Sequence, residues 1–454
     1  MSRRWKRTAL LVAGAALTVV LAAAPAGARP SEVDGAQRVQ SHTLNIYGLG
    51  GRDDVAQGRL DVANAVIRGL GHSVNNPVGG FNDQAFLARL AARDIPDLVH
   101  MGRGSVGTYA ARGALVPLGN CFRREGIDRS QYRKAALAEV TYRGQIYGAP
   151  EFTNQITLIV NDNVAQQAGV SVADVQTTNL KKLKAANKKM LRTDGGRVTR
   201  IGFDPKLPEF FPLWVKRFGA DLISKDGLKA NLNSRQAVAA LAYAVGLIND
   251  HGGWNRFKAF RDTFDYFGRI NPMSGNQMGA TPFESFWYNV LAEGAPVNIT
   301  AKFWTNAKGG PITMISGNAW AIPKGSKNPG LACKYIKALQ ADSSWLKVAK
   351  ERFDLRKRQG RAFTGLYTAK TTADVKIYED IYQKMGNADF DNAVALLVRA
   401  PRYAFSIPLS PASTEFRQAW IDAINRVLEG RQTPRQALDQ AQREAQAAIN
   451  RARG

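Results

Sequence analysis

Several predicted loops of this chain place aromatic side chains close to carboxylates and carboxamides. A flat aromatic ring can stack on the apolar face of a pyranose, while carboxylates and amides pair with its hydroxyl groups. The combination therefore predicts a site that binds a hydroxyl-rich ring; no catalytic residue, metal ligand or cofactor is assigned. The residues that fit this chemistry are Asn82, Asp83, Glu151, Phe152, Asn154, Glu284, Trp287 and Trp320.

Each aromatic candidate has an alternative interpretation as part of a hydrophobic core. Trp345 and Trp420 lie in helical patterns with one apolar face, so we expect both in the core. Trp214 fits either interpretation. The sequence alone leaves the choice between binding surface and core open for the three aromatic candidates.

Hydrolytic chemistry has few candidates in this chain. The sequence has neither a Gly-x-Ser-x-Gly nor a His-Glu-x-x-His motif, and its four histidines are widely separated. Acid–base catalysis would have to use carboxylates, for which Glu151 and Glu284 lie in suitable loops. A glycosidase needs two carboxylates that converge at a fixed separation, which spacing along the chain does not show. A secreted carbohydrate-active enzyme with paired carboxylates therefore remains the alternative to a binding protein.

A glycine-rich segment, Gly102-Arg-Gly-Ser-Val-Gly107, matches the dinucleotide-binding fingerprint and follows a predicted strand. The fingerprint also needs an acidic residue at the end of the next strand, about 20 residues on. Glu125 is near that distance, but its polar surroundings do not predict a strand, so nucleotide binding is disfavoured. The backbone N–H groups of this loop would still suit an oxygen-rich ligand, and Arg103 is a candidate partner for an anionic group.

The first 28 residues have the three zones of a secretory signal. Basic residues precede an apolar run from Ala9 to Ala24, and Ala26-Gly-Ala28 is a small-x-small cleavage site. We expect residues 1–28 to be removed, so that the mature chain starts at Arg29 and is periplasmic, secreted or cell-surface. The alternative is an uncleaved anchor, although the apolar run is slightly short for a membrane span, which needs roughly 17–25 residues.

Only two cysteines occur, Cys121 and Cys333, and neither lies near the cleavage site. A lipid anchor on a cysteine at that point is therefore not expected. Two cysteines outside the cytoplasm can form a disulfide, and the alternative is that both are buried thiols.

The chain carries a formal net charge of +25. A nucleic-acid-binding protein would concentrate such charge on one face, with aromatic residues among it. Here the basic residues are scattered, and the densest run, from Lys181 to Arg192, has spacings that wrap a helix between apolar positions. We interpret this run as a solvated helix face and predict no nucleic-acid partner. Attraction to an anionic cell surface or an anionic ligand stays open.

About 425 residues follow the signal, which exceeds what one hydrophobic core normally holds, so two lobes are predicted. Thr43 to Tyr47 alternates like a strand, Val55 to Leu70 has helical periodicity, and Ile95 to Met101 is a short apolar strand. This rhythm predicts an α/β fold with mostly parallel sheets and helices on both faces. Near the C-terminus, Thr433-Pro-Arg-Gln436 is a predicted capping box that opens the last helix.

Three longer stretches of the sequence carry motifs that are individually loose. Their order along the chain and the spacing between them, taken together, are specific. The stretches are Tyr142-Arg-Gly-Gln-Ile-Tyr-Gly-Ala-Pro150, Ser316-Gly-Asn-Ala-Trp-Ala-Ile-Pro-Lys-Gly-Ser-Lys-Asn-Pro329 and Val427-Leu-Glu-Gly-Arg-Gln-Thr-Pro-Arg-Gln-Ala-Leu438. Together with Pro96 to His100 and Ala114 to Leu118, they resemble the extracellular solute-binding proteins of ABC importers, family 1. The best-known members of that family bind maltodextrins and other sugars.

The resemblance implies a two-lobed type II periplasmic-binding fold, in which each lobe is an α/β sheet with flanking helices and a hinge joins the lobes. It implies capture of a small molecule, most often a sugar, and its delivery to the membrane permease of an ABC importer. We expect a monomer that uses no cofactor. In this family the loop that begins at Gly102 faces the ligand cleft.

The lobe boundaries follow from the places where the chain is predicted to cross. These places are Gly113 to Leu118 and Pro296 to Thr300. The expected division is residues 42–117 plus 296–343 for the first lobe, and residues 118–295 plus 344–454 for the second.

Overall fold

The structure, a computed structural model, describes residues 41–453. The predicted signal segment, residues 1–28, lies outside this range. Within residues 41–453, none of the helices combines the length and apolar character needed to cross a membrane.

Strands and helices alternate over the first half of the described chain, and helices dominate its last third. The strands are β1 Thr43–Tyr47, β2 Ser73–Asn75, β3 Leu98–Gly102, β4 Thr141–Tyr142, β5 Gln145–Ile146, β6 Ala149–Pro150, β7 Asn154–Asn161, β8 Arg192–Asp194, β9 Arg197–Phe203, β10 Met278–Glu284, β11 Ile299–Lys302, β12 Trp304–Thr305, β13 Pro311–Ser316, β14 Asn318–Ala321 and β15 Ala404–Phe405. The helices are α1 Asp54–Gly69, α2 Asp83–Ala91, α3 Val106–Ala111, α4 Gly119–Arg124, α5 Lys134–Ala138, α6 Asp162–Gln167, α7 Leu180–Met190, α8 Phe211–Arg217, α9 Arg235–Asn249, α10 Trp254–Arg261, α11 Trp287–Glu293, α12 Pro329–Gln340, α13 Asp342–Arg358, α14 Thr371–Lys376, α15 Ala388–Arg399, α16 Ser413–Leu428 and α17 Pro434–Arg453.

Helix boundaries follow from local capping chemistry. Helix α1 begins after Asp53, whose side chain accepts a hydrogen bond from the backbone N–H of Ala56 at 2.8 Å. Helix α17 begins with the predicted capping box: the N–H of Thr433 donates to Gln436 at 3.1 Å, and the N–H of Gln436 donates to the Thr433 hydroxyl at 3.3 Å. The predicted strand β1, helix α1 and last helix are therefore confirmed.

Two mixed sheets define two lobes. The first lobe contains a five-stranded sheet in the order β2-β1-β3-β14-β6, and the second contains an eight-stranded sheet built around β12-β13-β7-β10-β9-β8. Strand β1 is parallel to β2 and β3, as the strand–helix rhythm predicts. In the second lobe most pairings are antiparallel, including all three pairings of β7, whereas β9–β10 and β13–β15 are parallel. Both sheets are therefore mixed, as the sequence predicts, but parallel pairs do not form the majority in either one.

The chain crosses between the sheets at different places from those that the sequence suggests. The segment between β6 and β7 leads from the first sheet to the second, and Gly317, between β13 and β14, leads back. The earlier candidates each stay within one lobe: Val116 donates its N–H to Ile322 of the first lobe, and Ile299–Lys302 pairs with β7 of the second. Residues 118–150 accordingly pack with the first lobe, and residues 296–316 with the second.

The core of the first lobe contains both cysteines. Cys121 on α4 and Cys333 on α12 form a disulfide, with their Cα atoms 5.7 Å apart. Of the two alternatives for these residues, the structure therefore has the disulfide. Trp345 and Trp420 are buried in hydrophobic cores, as their helical periodicity predicts, and Trp214 is buried as well.

Candidate functional site

Three segments of the chain lie side by side where the two lobes meet. The N–H of Thr153 donates to the carbonyl of Tyr367 at 2.9 Å, and the N–H of Ala369 donates to the carbonyl of Glu151 at 2.6 Å. On the other side, Ser316 pairs with Asn154. The hinge consists of three hydrogen-bonded segments, residues 151–154, 316–318 and 366–369. The first two cross between the sheets, and the third leads toward β15 of the second sheet.

The buried guanidinium of Arg103 ties this hinge to the first lobe. Its Nε donates to Glu139 at 2.7 Å and one terminal nitrogen donates to the carbonyl of Ser316 at 2.7 Å. The other terminal nitrogen donates to the carbonyl of Phe152. Because the planar guanidinium holds its donors in a rigid fork, a single side chain fixes two crossing segments at once.

Gly317 lets these groups approach each other. Its φ is +151°, and a Cβ atom at this position would lie 2.3 Å from both the Arg103 terminal nitrogen and the Phe152 carbonyl oxygen. No real Cβ tolerates such contacts, so a larger residue would have to displace the arginine or the crossing strand.

A second buried ion cluster lies beside the hinge. The two carboxylate oxygens of Glu151 contact Arg59 at 2.5 Å and His100 at 2.6 Å. Burial alone would raise the pKa of Glu151, but the positive charge of Arg59, aided by His100, holds that pKa well below its ordinary value. Arg59 also donates to the carbonyl of Leu339 and lies over the ring of Trp345 at 3.5 Å.

A cleft of about 670 Å³ opens between the lobes in front of the hinge. The first lobe contributes the start of α1, α13 packs beside it, and the second lobe contributes the start of α11 and the loop before β10. The lining residues are Asp53, Asp54, Phe152, Asn154, Phe267, Gly268, Arg269, Ser285, Phe286, Asn289, Val290, Glu293, Gly294, Arg352, Thr364, Gly365, Leu366 and Tyr367.

Two exposed aromatic rings give this cleft a flat apolar wall. Phe267 is 67% exposed, Phe286 is 36% exposed, and their rings are nearly parallel, with an interplanar angle of 3° and centroids 6.1 Å apart. Phe283 supports Phe286 edge-on. Behind them the ammonium of Lys206 lies 4.4 Å from the Phe283 centroid, and burial lowers the pKa of Lys206 to about 8.

Arg352 of α13 lines the cleft together with Asp53 and Asp54. Arg352 donates to Asp54 at 2.9 Å and to Asp53 at 2.7 Å. Burial opposes the charge on Asp54, but the hydrogen bonds from Arg352 lower the pKa of Asp54 below its ordinary value. One turn further on, Arg356 pairs with Glu293 of α11. The α13 arginines thus connect the first lobe with the second along the cleft edge.

Of the nine sequence-predicted site residues, Phe152 and Asn154 line the cleft. Trp287 and Trp320 are 0% and 1% exposed; the Trp287 ring stacks on Phe283, and the Trp320 ring lies 4.6 Å from His100. The sequence left core and binding surface open for them, and in this structure both lie in the core. Their contact with a ligand stays a prediction.

The remaining predicted residues have protein partners in the structure. Asn82 caps α2 by accepting from the N–H of Ala85, and Asp83 accepts from the Tyr109 hydroxyl at 2.6 Å. Glu284 accepts from the Ser316 hydroxyl at 2.7 Å. Arg103 and Glu151 belong to the hinge clusters described above. Arg103 donates to the Glu139 carboxylate and to two carbonyl groups, and its contact with an anionic ligand stays a prediction.

Sequence reasoning missed the exposed ring pair. Phe267 precedes Gly268 in an aperiodic loop, where neither helical nor strand spacing distinguishes an exposed phenylalanine from a buried one. Phe286 lies inside the segment Phe283–Trp287, which the sequence analysis selected as a candidate binding loop. Within that segment, however, Trp287 was predicted to be the aromatic residue that contacts the ligand. Across residues 41–453, no cluster of three or more His, Cys, Asp or Glu side chains is arranged to hold a metal ion.

This architecture matches a known protein family. The profile described as bacterial extracellular solute-binding protein matches residues 82–353, more than half of the 454-residue chain. The chain belongs to that family. No curated protein sequence matches this solute-binding protein.

Solved structures share its two-lobed type II periplasmic-binding fold. An ABC substrate-binding protein from Listeria monocytogenes in complex with cycloalternan has a TM-score of 0.73 at 17% identity, over 90% of this chain and 100% of that one. A mannobiose-bound protein has a TM-score of 0.72 at 20% identity, over 89% and 100%. A maltotriose-bound maltodextrin-binding domain from Bdellovibrio bacteriovorus has a TM-score of 0.67 at 16% identity, over 90% and 100%. At these identities the similarity establishes the fold.

We predict that Gly317→Ala destabilises the protein because the new methyl group must displace Arg103 or the Phe152 carbonyl. The free energy of unfolding should fall by about 2–4 kcal/mol, in the range of other backbone clashes. Gly104→Ala is the control, because a Cβ there meets nothing within 4 Å. Urea unfolding of the three proteins measures the effect, and equal stability of both variants would contradict the hinge geometry.

We predict that Glu151→Gln lowers the free energy of unfolding by about 3–5 kcal/mol at pH 7, because it leaves the Arg59 charge buried without its counter-ion. The pKa of Glu151 is depressed below 4.5, so the contribution of the pair is complete above about pH 4.5 and is lost as the pH falls further. The difference from the wild type should therefore shrink in acid.

Urea unfolding over a pH series measures this difference. Glu351→Gln is the control, because Glu351 forms an exposed pair with Lys347 and should matter little. A gap between wild type and Glu151→Gln that stays constant from pH 7 into acid would show that the Glu151 charge does not stabilise the fold.

Proposed function

We propose that this solute-binding protein captures a carbohydrate in the cleft and delivers it to the membrane permease of an ABC importer. The observation that carries the proposal is the exposed, nearly parallel pair of rings, Phe267 and Phe286, in a cleft that also presents carboxylates and carboxamides. A pyranose has apolar faces for the rings and hydroxyl groups for the polar side chains, so both kinds of surface would be used.

The dimensions and polar groups of the cleft support this choice. About 670 Å³ lies within the range of small-molecule sites, roughly 300–1,000 Å³. Asn154 and Asn289 offer both donors and acceptors, while Asp53, Asp54 and Glu293 offer acceptors for hydroxyl protons. The carbohydrates bound in the solved structures of the same fold are consistent with it.

We further propose binding without turnover. Arg59 and His100 contact the two carboxylate oxygens of Glu151. Because its pKa is depressed, Glu151 is ionised at neutral pH and is a poor proton donor. Glu284 shares a hydrogen bond with Ser316 in the wall of the second lobe. This arrangement does not favour the alternative of a secreted enzyme with Glu151 and Glu284 as its catalytic pair.

The family places the protein outside the cytoplasm, and the route there is part of the proposal. A signal segment cleaved after Ala28 accounts for export, and the importer permease is the expected partner. We propose that the protein acts as a monomer and does not bind nucleic acid.

The lobes that close on the solute are proposed to be residues 41–150 with 318–358, and residues 154–316 with 404–453, on the basis of the sheets.

We predict that Phe286→Ala and Phe267→Ala each weaken carbohydrate binding by about 1–3 kcal/mol, because each removes a stacking surface. Titration calorimetry with mono- and oligosaccharides measures the affinity. Tyr403→Ala is the matched control, since Tyr403 is a 38% exposed aromatic residue that does not line the cleft.

Two results would overturn the proposal. If both phenylalanine variants are folded and bind as the wild type does, the ring pair is not the carbohydrate surface. If product accumulates when the protein is incubated with a bound saccharide, the protein is an enzyme rather than a receptor.

A further inference from the structure

The crossing strand at the hinge lines two cavities, one on each face. Side chains of an extended segment alternate between its faces. Phe152 and Asn154 line the cleft, whereas Thr153 and Gln155 line a second cavity of about 410 Å³. The second cavity therefore lies on the side of the hinge that faces away from the carbohydrate site.

Both lobes contribute to this rear cavity. Its walls combine the segment before and at the start of α5, the crossing strands, and the segment that leads to β15. The lining residues are Ser130, Tyr132, Arg133, Lys134, Ala135, Thr153, Gln155, Ile315, Thr371, Pro401 and Ala404.

Gln155 gives the rear cavity a polar group that needs a partner. Its side chain is 0% exposed, and neither its amide nitrogen nor its amide oxygen has a hydrogen-bond partner among residues 41–453. A buried carboxamide without partners costs free energy, and native structures almost always satisfy such groups. A bound molecule with both acceptor and donor atoms would do so.

The charge of the lining determines which molecule fits. Arg133 and Lys134 are basic, and no lining residue is acidic. Arg133 is partly neutralised by Asp374, which lies outside the lining. Within the described chain, no carboxylate comes within ion-pair distance of Lys134. Among the charged residues that line the rear cavity, Lys134 is therefore a positive charge without a carboxylate partner in the described chain, whereas the cleft lining holds three carboxylates and two arginines.

We propose that the rear cavity binds a small molecule that carries a carboxylate or phosphate group. Its anionic group pairs with Lys134 and Arg133, and an oxygen of the same molecule accepts from the carboxamide of Gln155. This site differs from the carbohydrate cleft in location and in ligand chemistry. Because residues of both lobes line the rear cavity, a bound molecule contacts both lobes beside the hinge.

Titration calorimetry of the mature protein with inorganic phosphate and, separately, with citrate tests the proposal and distinguishes the two anionic groups. We expect saturable binding of at least one of them at one site. Lys134→Gln and Gln155→Leu should each weaken it roughly tenfold or more, since each removes a hydrogen bond to a charged group. Lys181→Gln is the matched control for the loss of one exposed positive charge, and it should bind as the wild type does.

The outcomes separate this site from the carbohydrate site. Phe286→Ala should bind the anion with wild-type affinity, whatever it does to saccharide binding. Absence of saturable binding of both anions would overturn the proposal, as would binding that Lys134→Gln and Lys181→Gln weaken equally. If Gln155→Leu fails to fold, the comparison of the two lysine variants still decides, because both side chains are exposed.

Discussion

The fork of hydrogen bonds from Arg103 is the constraint on which the rest of the molecule depends. One buried guanidinium holds the Phe152 and Ser316 carbonyls, on the outgoing and returning strands between the lobes, and Glu139 anchors it to the first lobe. The approach is possible only because residue 317 is glycine. Since these strands are held in register, the side chains that leave their two faces reach the cleft and the rear cavity in fixed positions.

Buried and exposed charges have different roles around this hinge. The Glu151 cluster is buried, so its strength depends little on salt, and losing one partner leaves the others unpaired in a poorly solvated environment. The ion pair of Arg112 with Glu415 joins the lobes at the surface, and in the pair of Arg356 with Glu293 the carboxylate is exposed while the guanidinium is buried. Surface pairs are weaker and more easily exchanged. We therefore expect the hinge to be held more firmly than the surface ion pair that joins the lobe edges.

The sequence predicted features that depend on neighbouring residues. The alternation in β1, the periodicity of α1 and the capping box at Thr433 are all local patterns. The sequence therefore predicted β1, α1 and the last helix, α17. The family resemblance supplied the two-lobed fold. The burial and ion pairing of Glu151 could not be predicted in this way. Its partner Arg59 is 92 residues away in the sequence, and only folding brings the two side chains together. Likewise Phe267 is exposed because of how its loop packs, and no spacing in the sequence records that.

We propose that the lobes close on a solute about the hinge held by Arg103. The most direct test is small-angle X-ray scattering of the mature protein, alone and with a saccharide at a concentration that calorimetry shows to be saturating. We expect a smaller radius of gyration with the saccharide, because hinge closure brings the lobes together. An unchanged radius at saturation would contradict it, since the solute would then bind without closure.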